Sequence, residues 1–168
     1  MYEGSRLQNS PHMLESLFRF AERVFLSMDP LWSRLGYDFS ERLIKGPEDL
    51  FKKPVFGCHE CGQCILHFSG MTCPMTCPKN LRNGPCGGVR MNGHCEVDET
   101  EECVWHQAYD RSRRMPIYGQ EILDIQPMLD YRREDTSAWI NMLRENEGEI
   151  PRADPETLEM DKMPPMEK

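Results

Sequence analysis

The chain has 168 residues, with 20 basic and 28 acidic side chains and a formal net charge of −8. This charge gives a nucleic-acid partner no overall electrostatic support, and the length suits one compact domain or a small domain with extensions. No apolar run approaches the roughly 20 residues of a membrane-spanning helix. Arg19, Glu22 and Arg23 interrupt the apolar residues 17–26, so no signal peptide is expected and we expect a cytoplasmic protein.

The first segment, residues 1–53, carries helical patterning. Ser10 and Pro11 form a helix start, with serine as the N-cap and proline at the first helical position. The apolar residues that follow at helical spacing are Leu14, Leu17, Phe18, Ala21, Val24, Phe25 and Met28. They predict a helix of about 17–19 residues that ends at Asp29-Pro30. Two interpretations of the stripe stay open: it packs within its own domain, or it docks on a partner.

Shorter elements are expected before the first cysteine. Residues 31–38 and 41–45 are interpreted as short helical stretches, and Gly46-Pro47 is expected to break the chain. Residues 47–53 add one helical turn, and residues 54–57 are expected to be extended.

The second segment, residues 54–115, contains every cysteine in a stretch rich in glycine and proline. Residues 58–103 are interpreted as loops, which sustain neither long helices nor central strands and build little hydrophobic core. Metal bonds are the natural candidate to offset their conformational entropy, which costs about 1–2 kcal/mol per residue. Asn92-Gly93 predicts a short hairpin turn, and residues 99–115 are expected to form a helix that Pro116 ends.

The third segment, residues 116–168, is interpreted as a C-terminal helical arm and tail. Thr136 or Asp135 is expected to cap a helix over residues 137–145, and residues 148–168 are poor in large apolar side chains. The predicted fold class is a small loop-rich metal-binding domain with flanking α-helices and little β-structure beyond a possible short hairpin.

The cysteines are the candidate metal ligands, because a reducing compartment disfavours disulfides. They are Cys58, Cys61, Cys64, Cys73, Cys77, Cys86, Cys95 and Cys103. The first three form Cys-x2-Cys-x2-Cys, and the next two form Cys-x3-Cys followed by proline. Bacterial ferredoxins use the same pieces contiguously, whereas residues 65–72 separate them here. We predict two [4Fe-4S] clusters, one on the triplet plus a distant cysteine, with the fourth ligands left unassigned.

Zinc is the main alternative cofactor, because two four-cysteine zinc sites would use the same thiolates. Zinc ribbons usually present two closely spaced cysteine pairs, so a triplet leaves one cysteine redundant. Mixed zinc sites could also recruit a histidine: His59, His67, His94 or His106. Lys79, Arg82 and Arg90 could offset the negative charge of a cluster, or they could simply form a solvated face.

Five motifs in the cysteine region occur in an order that resembles the cysteine-rich domain associated with methylenetetrahydrofolate reductases. They are Cys61-Gly-Gln-Cys64, Cys73-Pro-Met-Thr-Cys77-Pro-Lys79, Asn83-Gly-Pro-Cys86-Gly-Gly88, Gly93-His-Cys95-Glu96 and Cys103-Val-Trp105. The resemblance covers about residues 54–115. It implies a small subunit bound to a flavin-containing methylenetetrahydrofolate reductase, which is itself a TIM barrel.

This resemblance implies a role in one-carbon metabolism but leaves the metal open, since the family's metal has been regarded both as zinc and as iron–sulfur. With iron–sulfur clusters, the chain would relay electrons between the reductase flavin and a donor such as ferredoxin or an NADH/flavin module. With zinc, it would be a structural subunit that assembles or regulates the same reductase. A third hypothesis is a zinc enzyme that transfers methyl groups, which requires an open coordination position.

Overall fold

Five α-helices and a long irregular segment make up the part of the chain that the computed structural model describes, residues 6–150. The helices are α1 (Pro11–Ser27), α2 (Asp29–Leu35), α3 (Tyr37–Phe56), α4 (Val104–Ser112) and α5 (Ala138–Asn146). Short 3₁₀ turns cover Arg6–Asn9, Pro74–Thr76, Gly119–Leu123 and Tyr131–Arg133. Between residues 6 and 150 the β-structure amounts to one isolated bridge, between His94 and Glu102. The predicted fold class is therefore confirmed.

The first helix follows its prediction closely. It begins at Pro11, and Ser10 occupies the N-cap position without a side-chain capping hydrogen bond. Asp29-Pro30 does not simply end the helical run: the chain breaks at Met28, and α2 starts with Asp29 and Pro30 in its first turn. Proline is tolerated there because the first-turn amides of a helix have no intrahelical acceptor.

The long helix α3 corrects the prediction for residues 41–57. It runs through Pro47 and Pro54, where a break and an extended stretch were expected. An ion pair spans Pro47, with Lys45 Nζ 3.0 Å from Asp49 Oδ2. The C-terminal turn is held by packing of the buried Phe56 and by Gly57, which adopts the left-handed conformation and donates its N–H to the Lys53 carbonyl.

The helix α4 is shorter at both ends than expected, because it begins at Val104 and ends at Ser112, before Pro116, and α5 is capped one residue later. Residues 99–102 lie outside α4 because they form a turn, in which the Glu101 carbonyl accepts the Cys95 N–H. The acidic residues therefore do not occupy the first turn of that helix. Ser137, rather than Thr136 or Asp135, caps α5 by accepting the Ile140 N–H.

The hydrophobic core joins all three sequence segments. Its main cluster consists of Leu14, Val55, Phe56, Leu66, Met71, Cys73, Met75 and Met115. A second cluster, Trp32, Tyr37, Ile140 and Leu143, packs α5 against α2 and α3. The buried Glu15 links α1 to the stretch after α4, because its carboxylate accepts the N–H groups of Ile117 and Tyr118.

Only part of the apolar stripe on α1 is buried. Leu14 is 4% exposed, whereas Leu17 is 50% and Val24 is 42% exposed. No helix within residues 6–150 has the length and apolar character needed to cross a membrane. The predicted three-segment division stays a prediction, and residues 151–168 of the expected C-terminal tail lie outside the described residues.

Candidate metal centre

The fold sorts the eight cysteines into two sets of four. The first set lines a cavity at the C-terminal end of α3: Cys58, Cys61, Cys64 and Cys73. The second set lines a separate cavity at the N-terminal end of α4: Cys77, Cys86, Cys95 and Cys103. Cys73 therefore lies with the Cys-x2-Cys-x2-Cys triplet as its distant fourth member. All eight thiols are free of disulfide bonds.

Left-handed backbone turns shape the loop that carries the first three thiols. Gly57 ends α3 at φ +63°, and Glu60 and Gly62 follow at φ +51° and +67°. Only glycine fits at position 62, because a Cβ there would collide with the carbonyl oxygen of Arg133. The Glu60 N–H donates to Cys58 Sγ at 3.4 Å, as expected where backbone amides approach a thiolate ligand.

The C-terminal stretch, residues 130–141, clamps this loop from the other side. Asp135 donates its N–H to the Glu60 carbonyl at 3.0 Å, and Asn141 Nδ2 donates to the Gly62 carbonyl at 2.9 Å. The side-chain oxygen of Gln63 accepts the Asp130 N–H at 2.6 Å. Residues far outside the cysteine region thus hold the triplet in place.

Burial favours the neutral thiol at two of the first-set cysteines, Cys58 and Cys73. Desolvation by burial raises the pKa of Cys58 to about 11, and neighbouring Cys64 adds to the effect. Burial also raises the pKa of Cys73 to about 12, reinforced by Cys58 and Cys64. Because a metal binds thiolates, loading this set must release protons.

Two buried cations line the first cavity. Lys52 is 6% and Arg82 is 8% exposed. Lys52 Nζ pairs with Glu48 Oε1 at 2.6 Å. Burial disfavours the Lys52 ammonium, but the negative charges of the Cys64 thiolate and the Glu48 carboxylate outweigh it and raise the Lys52 pKa.

Arg82 is held differently, by backbone oxygens. Its Nη2 donates to the Gln63 carbonyl at 2.7 Å and its Nε to the Pro127 carbonyl at 3.2 Å. Its Nη1 is buried and has no hydrogen-bond partner among the described residues. An unpartnered guanidinium N–H beside four thiols is available to an anionic group in the cavity.

Tight turns position the second set. The Arg90 N–H donates to the His94 carbonyl at 2.9 Å, in the turn that Asn92-Gly93 predicted, and the Cys103 N–H donates to the Gly93 carbonyl at 2.9 Å. The Gly88 N–H donates to Cys86 Sγ at 3.4 Å. The Glu96 carboxylate lies where a Cβ of residue 88 would stand, so Gly88 lets this side chain pack against the backbone.

The charged lining of the second cavity is mainly acidic. Cys86 is exposed, and its thiol donates to Glu96 Oε1 at 3.5 Å. Glu96 also forms an ion pair with Lys79. Glu101 and Glu102 complete the charged lining.

One turn of 3₁₀ helix connects the two sets. Pro74–Thr76 separates Cys73 of the first set from Cys77 of the second. Four residues of chain cannot exceed about 14 Å even when fully extended, so the Cα atoms of these two cysteines lie closer than that.

The donor chemistry of each set suits a four-cysteine metal group. Each cavity gathers four sulfur ligands, each set has a backbone N–H directed at a thiol, and the first cavity contains an unpartnered guanidinium N–H. Within residues 6–150, however, no group of three or more His, Cys, Asp or Glu side chains is arranged so that it could hold a metal ion. The cysteine side chains thus lie in two groups, but within each group they are not spaced as the ligands of one bound metal ion would be.

Several residues at the first site carry no signal in the sequence. Lys52 stands among ordinary helix residues, and Asn141 and Asp130 lie far along the chain from the cysteines. Only the amphipathic pattern of α3 could have indicated that Lys52 falls on a buried face. Of the three basic residues considered from sequence, Arg82 lines the first cavity and Lys79 the second, while Arg90 pairs with Glu99 at 2.5 Å.

Comparison with known proteins places the chain in a family. Neither a curated protein nor a solved structure matches it. The family model described as "Methylene-tetrahydrofolate reductase C terminal" matches residues 37–132, which include α3, α4 and all eight cysteines. This match covers more than half of the chain and extends beyond the motifs on both sides. The chain therefore belongs to the methylene-tetrahydrofolate reductase C-terminal family.

Proposed function

We propose that this chain is the iron–sulfur electron-transfer component of a methylenetetrahydrofolate reductase-type complex. Cys58, Cys61, Cys64 and Cys73 would hold one [4Fe-4S] cluster, and Cys77, Cys86, Cys95 and Cys103 would hold the second. Such clusters supply one-electron transfer. The chain's own residues bind the clusters, set their electrostatic surroundings and dock the reductase.

The division of the cysteines supports iron over zinc. Structural zinc sites are typically built from ligand pairs separated by two to four residues. The first set is instead a triplet with one distant cysteine, which is a ferredoxin-type arrangement. The second set consists of four single cysteines that no close pair joins. Neither set therefore resembles two zinc-binding pairs.

Electron balance defines the proposed exchange. Reduction of methylene-tetrahydrofolate to methyl-tetrahydrofolate consumes two electrons and two protons, which the reductase flavin delivers. A donor such as ferredoxin or an NADH/flavin module would supply these electrons one at a time through this chain. The reverse direction would return the same two electrons to that module.

Metal analysis with electron paramagnetic resonance on the anaerobically purified full chain tests the proposal. We expect a brown protein with about eight irons per chain, as two four-iron clusters require. A colourless protein with stoichiometric zinc and no reversible reduction would overturn the proposal in favour of the structural zinc subunit.

Single ligand substitutions test the division between the sets. Cys64→Ser and Cys103→Ser should each lose about four irons and leave the other cluster's spectrum unchanged. The substitutions are matched, because each removes one thiolate from one cavity. Loss of all iron from both variants would contradict two separate sites.

The face for the reductase is proposed to be an apolar groove between α1 and α3. Its lining includes Leu17, Phe18, Phe25, Ile44 and Phe51. The groove shares Lys52, Phe56 and Leu66 with the first cysteine cavity, so a partner seated there would approach that cavity through one layer of side chains. This position favours the reductase subunit as the occupant, since that partner must exchange electrons with the chain.

A further inference from the structure

The two cysteine cavities carry opposite electrostatic environments, although each presents four thiols. The charged residues that line the first cavity are Glu48, Asp49, Lys52, Glu60 and Arg82. Those that line the second are Lys79, Glu96, Glu101 and Glu102. The difference lies in how these charges are paired.

Every carboxylate at the first cavity has a lysine partner. Glu48 pairs with Lys52 at 2.6 Å. Lys45 Nζ lies 3.0 Å from Asp49 Oδ2 and 2.5 Å from Glu60 Oε1. Lys53 adds a second cation to Glu60, at 2.9 Å. The first cavity and its ion pairs therefore contain four cations against three carboxylates.

Arg82 supplies the excess positive charge. It forms no ion pair with a carboxylate of residues 6–150, and its Nη1 is buried without a hydrogen-bond partner there. A charge at a site of low effective dielectric constant acts several times more strongly than the same charge in water. The Arg82 guanidinium therefore favours added negative charge in the first cavity.

The second cavity has the opposite balance. Lys79 is its one lining cation and is paired with Glu96, which leaves the charges of Glu101 and Glu102. Glu102 lies 3.0 Å from the His106 ring, which adds a positive charge only when protonated. Added negative charge is therefore disfavoured in this cavity.

From this asymmetry we propose that, of the two cysteine sets, the first holds the cluster with the higher reduction potential. Arg82 is the residue that determines which cluster has the higher potential. This inference rests on the proposed iron–sulfur function. Reduction by one electron makes a cluster more negative, so a cavity with excess positive charge stabilises the reduced state and raises the potential. Burial of the first set lowers its reduction potential, because exclusion of water disfavours the more negative state. The positive charge of Arg82 offsets this effect.

The consequence is a direction for electrons within the chain. An electron delivered to the second cavity, where Cys86 is exposed, moves to the first cavity and is held there beside the apolar groove. The donor is oxidised by one electron and the first site is reduced by one. The second cavity is thus the entry for a soluble one-electron donor, and the first cavity faces the reductase.

Potentiometric titration of the full chain, followed by electron paramagnetic resonance, tests the assignment. Arg82→Gln should lower the higher of the two midpoint potentials by at least 59 mV, a tenfold change in the ratio of oxidised to reduced sites, and leave the lower one unchanged. Arg82→Lys keeps the positive charge, so the higher midpoint potential should stay close to its value in the unsubstituted protein. Arg113→Gln is the matched control, because Arg113 is exposed and lines neither cavity.

A double substitution at the second cavity tests the same order of midpoint potentials. Glu101→Gln with Glu102→Gln should raise only the lower potential. The inference is overturned if Arg82→Gln shifts the lower potential or neither, or if the glutamate variants shift the higher one. These outcomes differ from failure of the proposed function, in which the protein contains zinc and no reducible cluster.

Discussion

At the scale of single residues, Gly62 connects the cysteine triplet to the distant stretch that clamps it. The triplet requires a left-handed turn at this position, and the backbone of Arg133 occupies the space where a Cβ would stand. The glycine therefore satisfies two constraints at once, one conformational and one steric.

We expect Gly62→Ala to lower the free energy of unfolding by about 2–5 kcal/mol, the sum of left-handed strain and overpacking. It should also reduce the iron bound by the first set. Gly148→Ala is the control, since Gly148 follows the C-cap of α5 with φ +76° and open space around it. That variant should cost only about 1–2 kcal/mol and keep its iron. Urea unfolding with metal analysis measures both quantities, and equal effects of the two variants would contradict the steric explanation.

His67 is a second residue whose surroundings have a measurable consequence. It packs among Phe18, Phe68 and Tyr118, and burial lowers its pKa from 6.5 to about 4. Its Nδ1 lies 3.8 Å from Glu121 Oε2, too far for a hydrogen bond. Between pH 4 and pH 6.5, the imidazole of His67 is protonated in the unfolded chain but neutral in the folded chain.

The stabilising effect of neutral His67 is therefore present above pH 6.5 and is lost as the pH falls towards 4. We expect the loss to be on the order of 1–3 kcal/mol, and His67→Leu should remove it. Urea unfolding of both proteins at several pH values in this range gives the difference. If the two proteins lose stability in parallel, His67 does not carry the dependence.

At the scale of elements, α3 supplies the scaffold for the first site. Lys52 and Glu48 form a buried pair on one face, and Glu48 Oε2 also accepts the hydroxyl hydrogen of Ser137, the cap of α5. One carboxylate thus joins the helix to the cavity lysine and to the last helix.

Removal of one member of this pair should be costly, because it leaves a buried charge uncompensated. We expect Lys52→Met to cost about 3–5 kcal/mol, and Glu48→Gln added to it should restore most of the loss. Lys53→Met is the control on the same helix, since Lys53 is half exposed and solvent screens its ion pair, so this variant should lose much less stability. A double variant as unstable as Lys52→Met would argue that packing, rather than charge, causes the loss.

The elements also show where sequence patterns suffice and where they fail. The apolar period of α1 predicts its bounds, because caps and periodicity are local properties. Proline disfavours the interior of a helix, so the local sequence predicts a break at Pro47. Tertiary packing overrides that local preference in α3. The cysteines are identifiable by spacing, but their division depends on Cys73 and Cys77 facing opposite ways from one short turn. The clamp from residues 130–141 depends on contacts between distant parts of the chain, which no local pattern encodes.

At the scale of the whole molecule, packing among residues 6–150 leaves an apolar groove between α1 and α3 open. Phe51 is 47% and Leu17 is 50% exposed on it. Exposed apolar surface in one groove is typical of a protein-binding face.

We expect Leu17→Asp with Phe51→Asp to weaken binding of the reductase subunit by at least tenfold, with unfolding free energy and iron content almost unchanged. Met91→Asp is the control, because Met91 is fully exposed in the turn between Cys86 and Cys95 of the second set and is far from the groove in sequence. Titration calorimetry or co-purification with the reductase measures the effect. Binding that survives the groove variant and fails with Met91→Asp would place the interface at the other cavity.

The short turn Pro74–Thr76 has a consequence for how the protein is assembled. Its two flanking cysteines belong to different sites, so the first metal group to be inserted fixes one end of the turn and orients the ligand of the other. Insertion of the two metal groups should then be kinetically coupled, with loading of one site speeding the loading of the other during reconstitution, although each site can be loaded alone. The three residues that separate these cysteines would couple the maturation of the two centres as well as connect them.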